Sequence, residues 1–188
     1  GESGSGKSVT ALSVLNLLPP AASLAGSIKL DGQELVGASD ATLRQVRGNR
    51  VGMIFQEPMS SLNPVHTIGR QVAEVVMLHQ GLRPNVARQR AIELMARVGI
   101  PQPEARYGHH PHQFSGGQRQ RLVIAIALAG SPQIIVADEP TSALDATVQK
   151  QVLALLRSLV DETGVSIMLV THDMGVIADI TDRVVVMR

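Results

Sequence analysis

Gly1-Glu2-Ser3-Gly4-Ser5-Gly6-Lys7-Ser8 opens the chain, and its reading decides the fold class. The run satisfies the spacing G-x-x-x-x-G-K-[ST] in full. Small residues let successive backbone N–H groups turn toward one anion, and the apolar stretch that follows, 9–18, predicts a helix whose positive end faces the same point. Lys7 is then placed to reach the outer phosphates of a nucleoside triphosphate, and the Ser8 hydroxyl to ligate Mg²⁺. A flexible Gly/Ser turn ahead of a helix has the same composition, so the reading needs a second element.

That element lies far along the chain. Ile134-Ile135-Val136-Ala137-Asp138-Glu139 is an apolar run ending in two carboxylates. At the tip of a buried parallel strand, both would point into the crevice where open α/β sheets bind ligands. Asp138 is the candidate for holding Mg²⁺ through its hydration shell. Glu139 is the candidate for orienting and polarising an attacking water. Phosphoryl transfer asks mainly for positioning and charge neutralisation, which a metal, a lysine and such a carboxylate supply. Two acids closing a strand in a solvated turn is the competing reading, and the phosphate loop in the same chain weakens it.

Outward from these two stretches, short strands are expected at 27–30, 51–55, 134–137 and 166–170. Between them the hydrophobic period changes. Ile68, Val72, Val75 and Val76 share one helical face, and Ala91, Leu94, Met95 and Val98 another, with Gly81 and Pro84 between. Residues 118–129 are apolar all round, as in a buried helix. Val148, Val152, Leu155, Leu156 and Leu159 mark an amphipathic one. Strands alternating with helices imply an α/β protein with a mostly parallel sheet covered on both faces.

Composition narrows the function. The 188 residues carry a net charge of +1, are 44% hydrophobic and contain no cysteine. Disulfides and thiolate metal sites are therefore excluded. Near neutrality and the few aromatics (Phe55, Tyr107, Phe114) argue against a nucleic-acid groove. The uncharged stretches 8–28 and 122–137 are broken by Pro19-Pro20 and by Gly130-Ser131-Pro132, so neither reads as a membrane span. Arg44, Arg47 and Arg50 read as a solvated face. His109-His110-Pro111-His112 is too crowded, with no carboxylate or thiolate helping, to read as a metal site.

Phe114-Ser115-Gly116-Gly117-Gln118-Arg119-Gln120-Arg121 resembles the signature motif of ABC ATPases, upstream of the acidic strand as in that family. Gln56 then resembles the family's Q-loop glutamine, Ser142-Ala143-Leu144-Asp145 its D-loop, and His172 its switch histidine. On this resemblance the fold is a P-loop NTPase of RecA-like type with a helical ABC subdomain. The expected division is about 1–66 and 131–188 for the catalytic core and about 67–130 for the subdomain. Both chain ends look cut, with the sequence starting at the phosphate loop itself.

The resemblance implies an ATP hydrolase with ATP and Mg²⁺ as its cofactors. Glu139, His172 and Gln56 would be catalytic. Gly1, Glu2, Ser3, Gly4, Ser5, Gly6, Lys7 and Ser8 would bind nucleotide, and Ser8, Gln56 and Asp138 the metal. Ser115, Gly116, Gly117, Gln118 and Asp145 would act across a head-to-tail dimer that sandwiches ATP. Asp145 would also suit the N-cap of the helix after it. Glu57-Pro58-Met59-Ser60-Ser61-Leu62-Asn63-Pro64 resembles importer ATPases for peptides, dipeptides and nickel, including glutathione and microcin-type members. The implied partners are transmembrane permease subunits, a second ATPase domain and, indirectly, a solute-binding protein. The implied location is peripheral, on the cytoplasmic face of the inner membrane. The alternative is a soluble ABC ATPase of DNA repair or chromosome organisation. Those carry long coiled coils or zinc modules between Gln56 and the signature, where this chain has only a compact helical insert.

Overall fold

The computed structural model describes residues 4–187. Helix α1 (Lys7–Val14) follows the phosphate loop, with the left-handed Gly6 at its N-cap. It stops earlier than the apolar stretch 9–18 suggests. Asn16 turns left-handed (φ 50°), and Leu17 N–H returns to Leu12 O while Asn16 N–H returns to Ser13 O. This Schellman closure satisfies the terminal carbonyls and releases Leu17 from the helix.

Strands β1 (Lys29–Leu30) and β2 (Gln33–Glu34) form an antiparallel hairpin. Its two-residue loop, Asp31-Gly32, has positive φ at both positions (48° and 80°), as a type I′ turn requires. The strand expected at 27–30 is therefore shorter. Ser27 instead turns its hydroxyl to Glu34, whose Oε1 also accepts from the N–H groups of Ile28, Leu35 and Val36. The Ser27 bond first, then those to Val36 and Ile28, lower the Glu34 pKa from 4.5 to about 2. A depressed carboxylate contributes stability above its unfolded pKa and loses it as pH falls through the folded one. Glu34→Gln should thus melt below wild type at neutral pH, and the gap should close between pH 4.5 and about 2. A gap that stays constant in a thermal titration contradicts the brace.

Helix α2 (Asp40–Val46) starts on a Ser39 cap, whose hydroxyl accepts from Thr42 N–H, and buries Leu43 and Val46. It leads into β3 (Val51–Ile54). Next come α3 (Pro58–Ser61), α4 (Ile68–Gln80), α5 (Pro84–Arg97), α6 (Pro103–Arg106), a 3₁₀ turn (Pro111–Gln113) and α7 (Gly116–Leu128). Then β4 (Ile134–Asp138), α8 (Ala146–Thr163), β5 (Ser166–Val170) and α9 (Met174–Ile180) follow. The antiparallel pair α4 and α5 matches the two faces read from the sequence, divided at left-handed Gly81.

Strands β3, β4 and β5 form a parallel sheet in that order, with Val51 beside Ile134 and Ile134 beside Ser166. Both faces are covered, which explains the continuous apolar runs. Val51, Val136 and Val170 pack with Ala11 of α1 and with Leu15 at its C-cap. Ile54, Ile135 and Ala137 pack on the other side with Leu122, Ile124, Val152 and Leu156 of α7 and α8. Gly52 marks the close approach of α7, because a Cβ there would lie 2.7 Å from Ala127 O.

Of the three arginines read as a solvated face, only Arg44 is one. Arg47 Nε donates to Leu15 O at 2.9 Å and Nη2 to Asn16 O at 3.1 Å, so its cation meets the carboxyl end of α1. Arg50 pairs with Asp31 of the hairpin. These are long-range tethers between segments that carry no local pattern linking them.

Candidate functional site

The parallel order places the C-terminal ends of β4 and β5 beside the start of α1. Gly4 (φ 87°) and Gly6 (φ 81°) hold conformations that side chains with a Cβ rarely adopt, so the loop can curl its amides inward. Lys7 Nζ donates to Ser5 Oγ at 3.2 Å. Ser8 Oγ donates to Asp138 Oδ1 at 3.0 Å, joining positions 130 residues apart. Asp138 ends β4 with 5% of its surface exposed. Desolvation raises its pKa above the ordinary carboxylate value and Glu139 adds to the rise, while the Ser8 bond and Lys7 oppose it. A buried carboxylate in such a place is stabilised by a cation.

Glu139 follows immediately and leaves the strand in the left-handed region (φ 46°). For a residue with a Cβ this costs on the order of 1–3 kcal/mol, the kind of backbone strain found at functional sites. Its N–H is fixed on Val170 O at 2.9 Å, and its own carbonyl accepts from Ser142 N–H at 3.2 Å. The turn aims the carboxylate between two partners. Gln56 Nε2 donates to Oε2 at 3.2 Å, and His172 Nδ1 lies 2.8 Å from Oε1. The residues expected from the sequence to be catalytic thus converge on one carboxylate, and Lys7, Ser8 and Asp138 adjoin it. Gly1, Glu2 and Ser3 lie outside the described residues.

The signature stretch builds a different feature. Ser115 Oγ accepts from Gln118 N–H at 3.3 Å, while Gln118 Oε1 accepts from Ser115 N–H at 3.2 Å. This capping box starts α7 and leaves Ser115 and Gly116 exposed at its positive end. Among the described residues, no hydrogen bond joins 115–118 to the phosphate-loop group. The helix start abuts the start of α8 and the residue Leu144 before it. A Cβ on Gly117 would meet Val148 Cγ1 at 2.4 Å, whereas one on Gly116 has only Leu144 Cδ2, at 4.0 Å. Asp145 caps α8, its Oδ1 accepting from Thr147 and Val148 N–H at 3.1 and 3.0 Å.

Two polar groups of this site escaped the sequence reading. Asp173 caps α9 and Gln149 bonds to it at 3.1 Å. Both line, with Glu139 and His172, a polar cleft of about 140 Å³. The cap had a signal, an Asp two residues before Gly175 at a helix start. Gln149 had none, because its partner lies 24 positions away.

Residues 1–142 match the ABC transporter family. The peptidoglycan transport ATP-binding protein YejF of Agrobacterium fabrum is 55% identical over the whole chain. The oligopeptide transport ATP-binding protein OppD of Bacillus subtilis is 49% identical over the same span. The chain covers 35% of the former and 53% of the latter, so it spans a third to a half of these relatives. Among solved structures, the dimeric post-hydrolysis state of the ATP-binding cassette MJ0796 with ADP and Pi matches 94% of this chain. The identity is 34% and the TM-score 0.80, over 74% of that cassette.

Proposed function

The chain belongs to the ABC transporter family, with the fold of a P-loop NTPase, and from that premise we propose that it binds and hydrolyses MgATP to drive solute import. The single observation that carries this reading is the Ser8–Asp138 bond at 3.0 Å. It puts a phosphate-loop hydroxyl and a desolvated carboxylate within reach of one small cation. Both are hard oxygen donors, which suit Mg²⁺. Ser8, Asp138 and Gln56 would hold the ion, which when bound neutralises charge on the phosphates.

The chain's own residues then divide the work. The amides of residues 1–8 and the Lys7 ammonium bind and orient the phosphates. Glu139 accepts the hydrogen bond of the attacking water and draws off its proton as the bond to phosphorus forms and the bond from that phosphorus to the bridging oxygen breaks, so that ADP leaves with its charge met by Lys7 and the loop amides. Gln56 and His172, already on the Glu139 carboxylate, would hold that group at a fixed angle, and we assign His172 as a donor to the transferring phosphoryl. The exposed start of α7, with Ser115, Gly116, Gly117 and Gln118, has the make-up of an anion site, and among the described residues no hydrogen bond ties it to the phosphate loop. We assign it to the nucleotide of a second copy or second ATPase domain, with head-to-tail pairing and Asp145 at the junction.

On this reading, residues of about 1–66 and 131–188 form the catalytic core and those of about 67–130 the helical subdomain. Transmembrane permease subunits are the partners, fed by a solute-binding protein, at the cytoplasmic face of the membrane. No helix among the described residues is long and apolar enough to cross a membrane. The names of the relatives favour peptides or similar small solutes as cargo, and the compact α4–α7 segment disfavours the nucleic-acid machine. The test is phosphate release by the purified full-length protein, followed by uptake in proteoliposomes carrying its permease. Labelled oligopeptide accumulating with MgATP supports the reading. Accumulation of nickel alone corrects the cargo, and no phosphate release overturns the ATPase.

A further inference from the structure

His172 is not held by packing, since 63% of its side chain is exposed. Its placement depends on hydrogen bonds, one of its own to Glu139 and the rest through its neighbour. The two oxygens of Asp173 have separate partners. Oδ1 accepts from Gly175 N–H at 2.8 Å and from Val176 N–H at 3.4 Å, which completes the cap of α9. Oδ2 accepts from Gln149 Nε2 at 3.1 Å. The Asp173 N–H in turn donates to Thr171 Oγ1 at 3.0 Å, drawing the loop 171–173 into one compact turn. The backbone bonds from Gly175 and Val176, then the Gln149 amide, hold the Asp173 carboxyl below its ordinary pKa, so it is ionised.

Gln149 stands in the first turn of α8, where its N–H bonds to Asp145 O at 2.8 Å. Asp145 in turn caps that same turn. One series of hydrogen bonds therefore runs from the loop 139–145, through Gln149 and Asp173, to the backbone beside His172. It returns to its start by the 2.8 Å contact between His172 and Glu139. The helix cap is complete without Gln149, so this bond has a separate consequence. It fixes where the loop of His172 sits relative to the loop of Glu139 and Asp145.

We propose that Gln149 is a positioning residue for hydrolysis, which holds His172 in register with Glu139 through Asp173 and passes displacements of Asp145 to it. The inference rests on the ATPase reading, but the backbone registration it describes can be measured without turnover.

The experiment compares the full-length wild type with Gln149→Ala, Gln149→Glu, Asp173→Asn and the double variant Gln149→Glu/Asp173→Asn. For Gln149→Ala, kcat should fall about tenfold, as for small misplacements of a catalytic group, and KM for MgATP should stay within about twofold. Amide hydrogen exchange at 171–174 in the nucleotide-free protein should quicken, with α8 unchanged. Gln149→Glu sets a carboxylate against Asp173 Oδ2 and should lose at least as much. Asp173→Asn alone should cost less than Gln149→Ala, because Oδ1 still caps α9 and the Gln149 amide can rotate to accept from Nδ2. In the double variant that Nδ2 donates to the new carboxylate, and kcat should recover. A merely structural role would lower kcat and melting temperature together, with no recovery. Unchanged kcat in Gln149→Ala, or no recovery in the double variant, overturns the proposal while leaving the ATPase reading intact. A wild type without ATPase activity sinks that reading instead, and unchanged exchange at 171–174 then also overturns the role of Gln149.

Discussion

Exchanging Glu139 for Gln should lower MgATP turnover by about 10²–10⁴-fold, the range for a lost general base, with nucleotide affinity close to wild type. The amide is isosteric with the carboxylate and meets the same neighbours, Gln56 at 3.2 Å and His172 at 2.8 Å. What disappears is the ability to take a proton from water. The left-handed backbone at Glu139 is set by its N–H on Val170 O and by the turn to Ser142, both independent of the side chain. If two copies pair head to tail as proposed, binding without turnover should also trap the paired form, because uncleaved ATP would stay between them. Single-turnover phosphate release and sizing with MgATP read both effects. Wild-type turnover with no dimer contradicts the assignment of Glu139.

Removal of the Lys7 ammonium should act on the other parameter. Lys7→Ala should raise the Kd for MgATP roughly 100-fold, about 3 kcal/mol, as expected when one partner of a desolvated charge pair is truncated. The phosphate-loop geometry should survive, since left-handed Gly4 and Gly6 and the Ser8–Asp138 bond do not need the lysine. Calorimetric titration of nucleotide into the full-length variant measures it. An unchanged Kd would remove Lys7 from the site.

The chemistry was more legible in the sequence than the scaffold that aims it. Lys7, Ser8, Asp138 and Glu139 announce themselves because phosphate binding needs small residues, a cation and paired acids at strand and helix ends. The parallel strands β3, β4 and β5 were readable because burial on both faces leaves continuous apolar runs such as 134–137. The hairpin β1–β2 was only half seen, although Asp31-Gly32 is the turn dipeptide that a two-residue loop demands. Helix α2 carries a weak signal despite its Ser39 cap and its Leu43 and Val46 spacing, for it makes only two turns. Arg47 and Gln149 could not be read at all. Their partners, the end of α1 and Asp173, are brought to them by the fold, and a lone Arg or Gln carries no local pattern that says so.

On the proposed pairing, the start of α7 and the phosphate loop complete one ATP site only when they come from different copies. Gly116→Asp isolates the first half of that site. A Cβ there meets nothing nearer than Leu144 Cδ2 at 4.0 Å, so the monomer accommodates the change, and an acid in the first turn suits the helix dipole. Against a facing phosphate, the same carboxylate repels. In full-length homodimers at MgATP near the wild-type KM, Lys7→Ala should leave its sites almost empty and Gly116→Asp should block the paired site, so neither alone should hydrolyse appreciably. A head-to-tail heterodimer of the two collects both lesions in one site and leaves the other intact. The measurement is therefore MgATP hydrolysis by the equimolar mixture. Random pairing predicts recovery to roughly a quarter of the wild-type rate, since half the dimers carry one good site of two. A mixture as inactive as its parents would contradict the composite site.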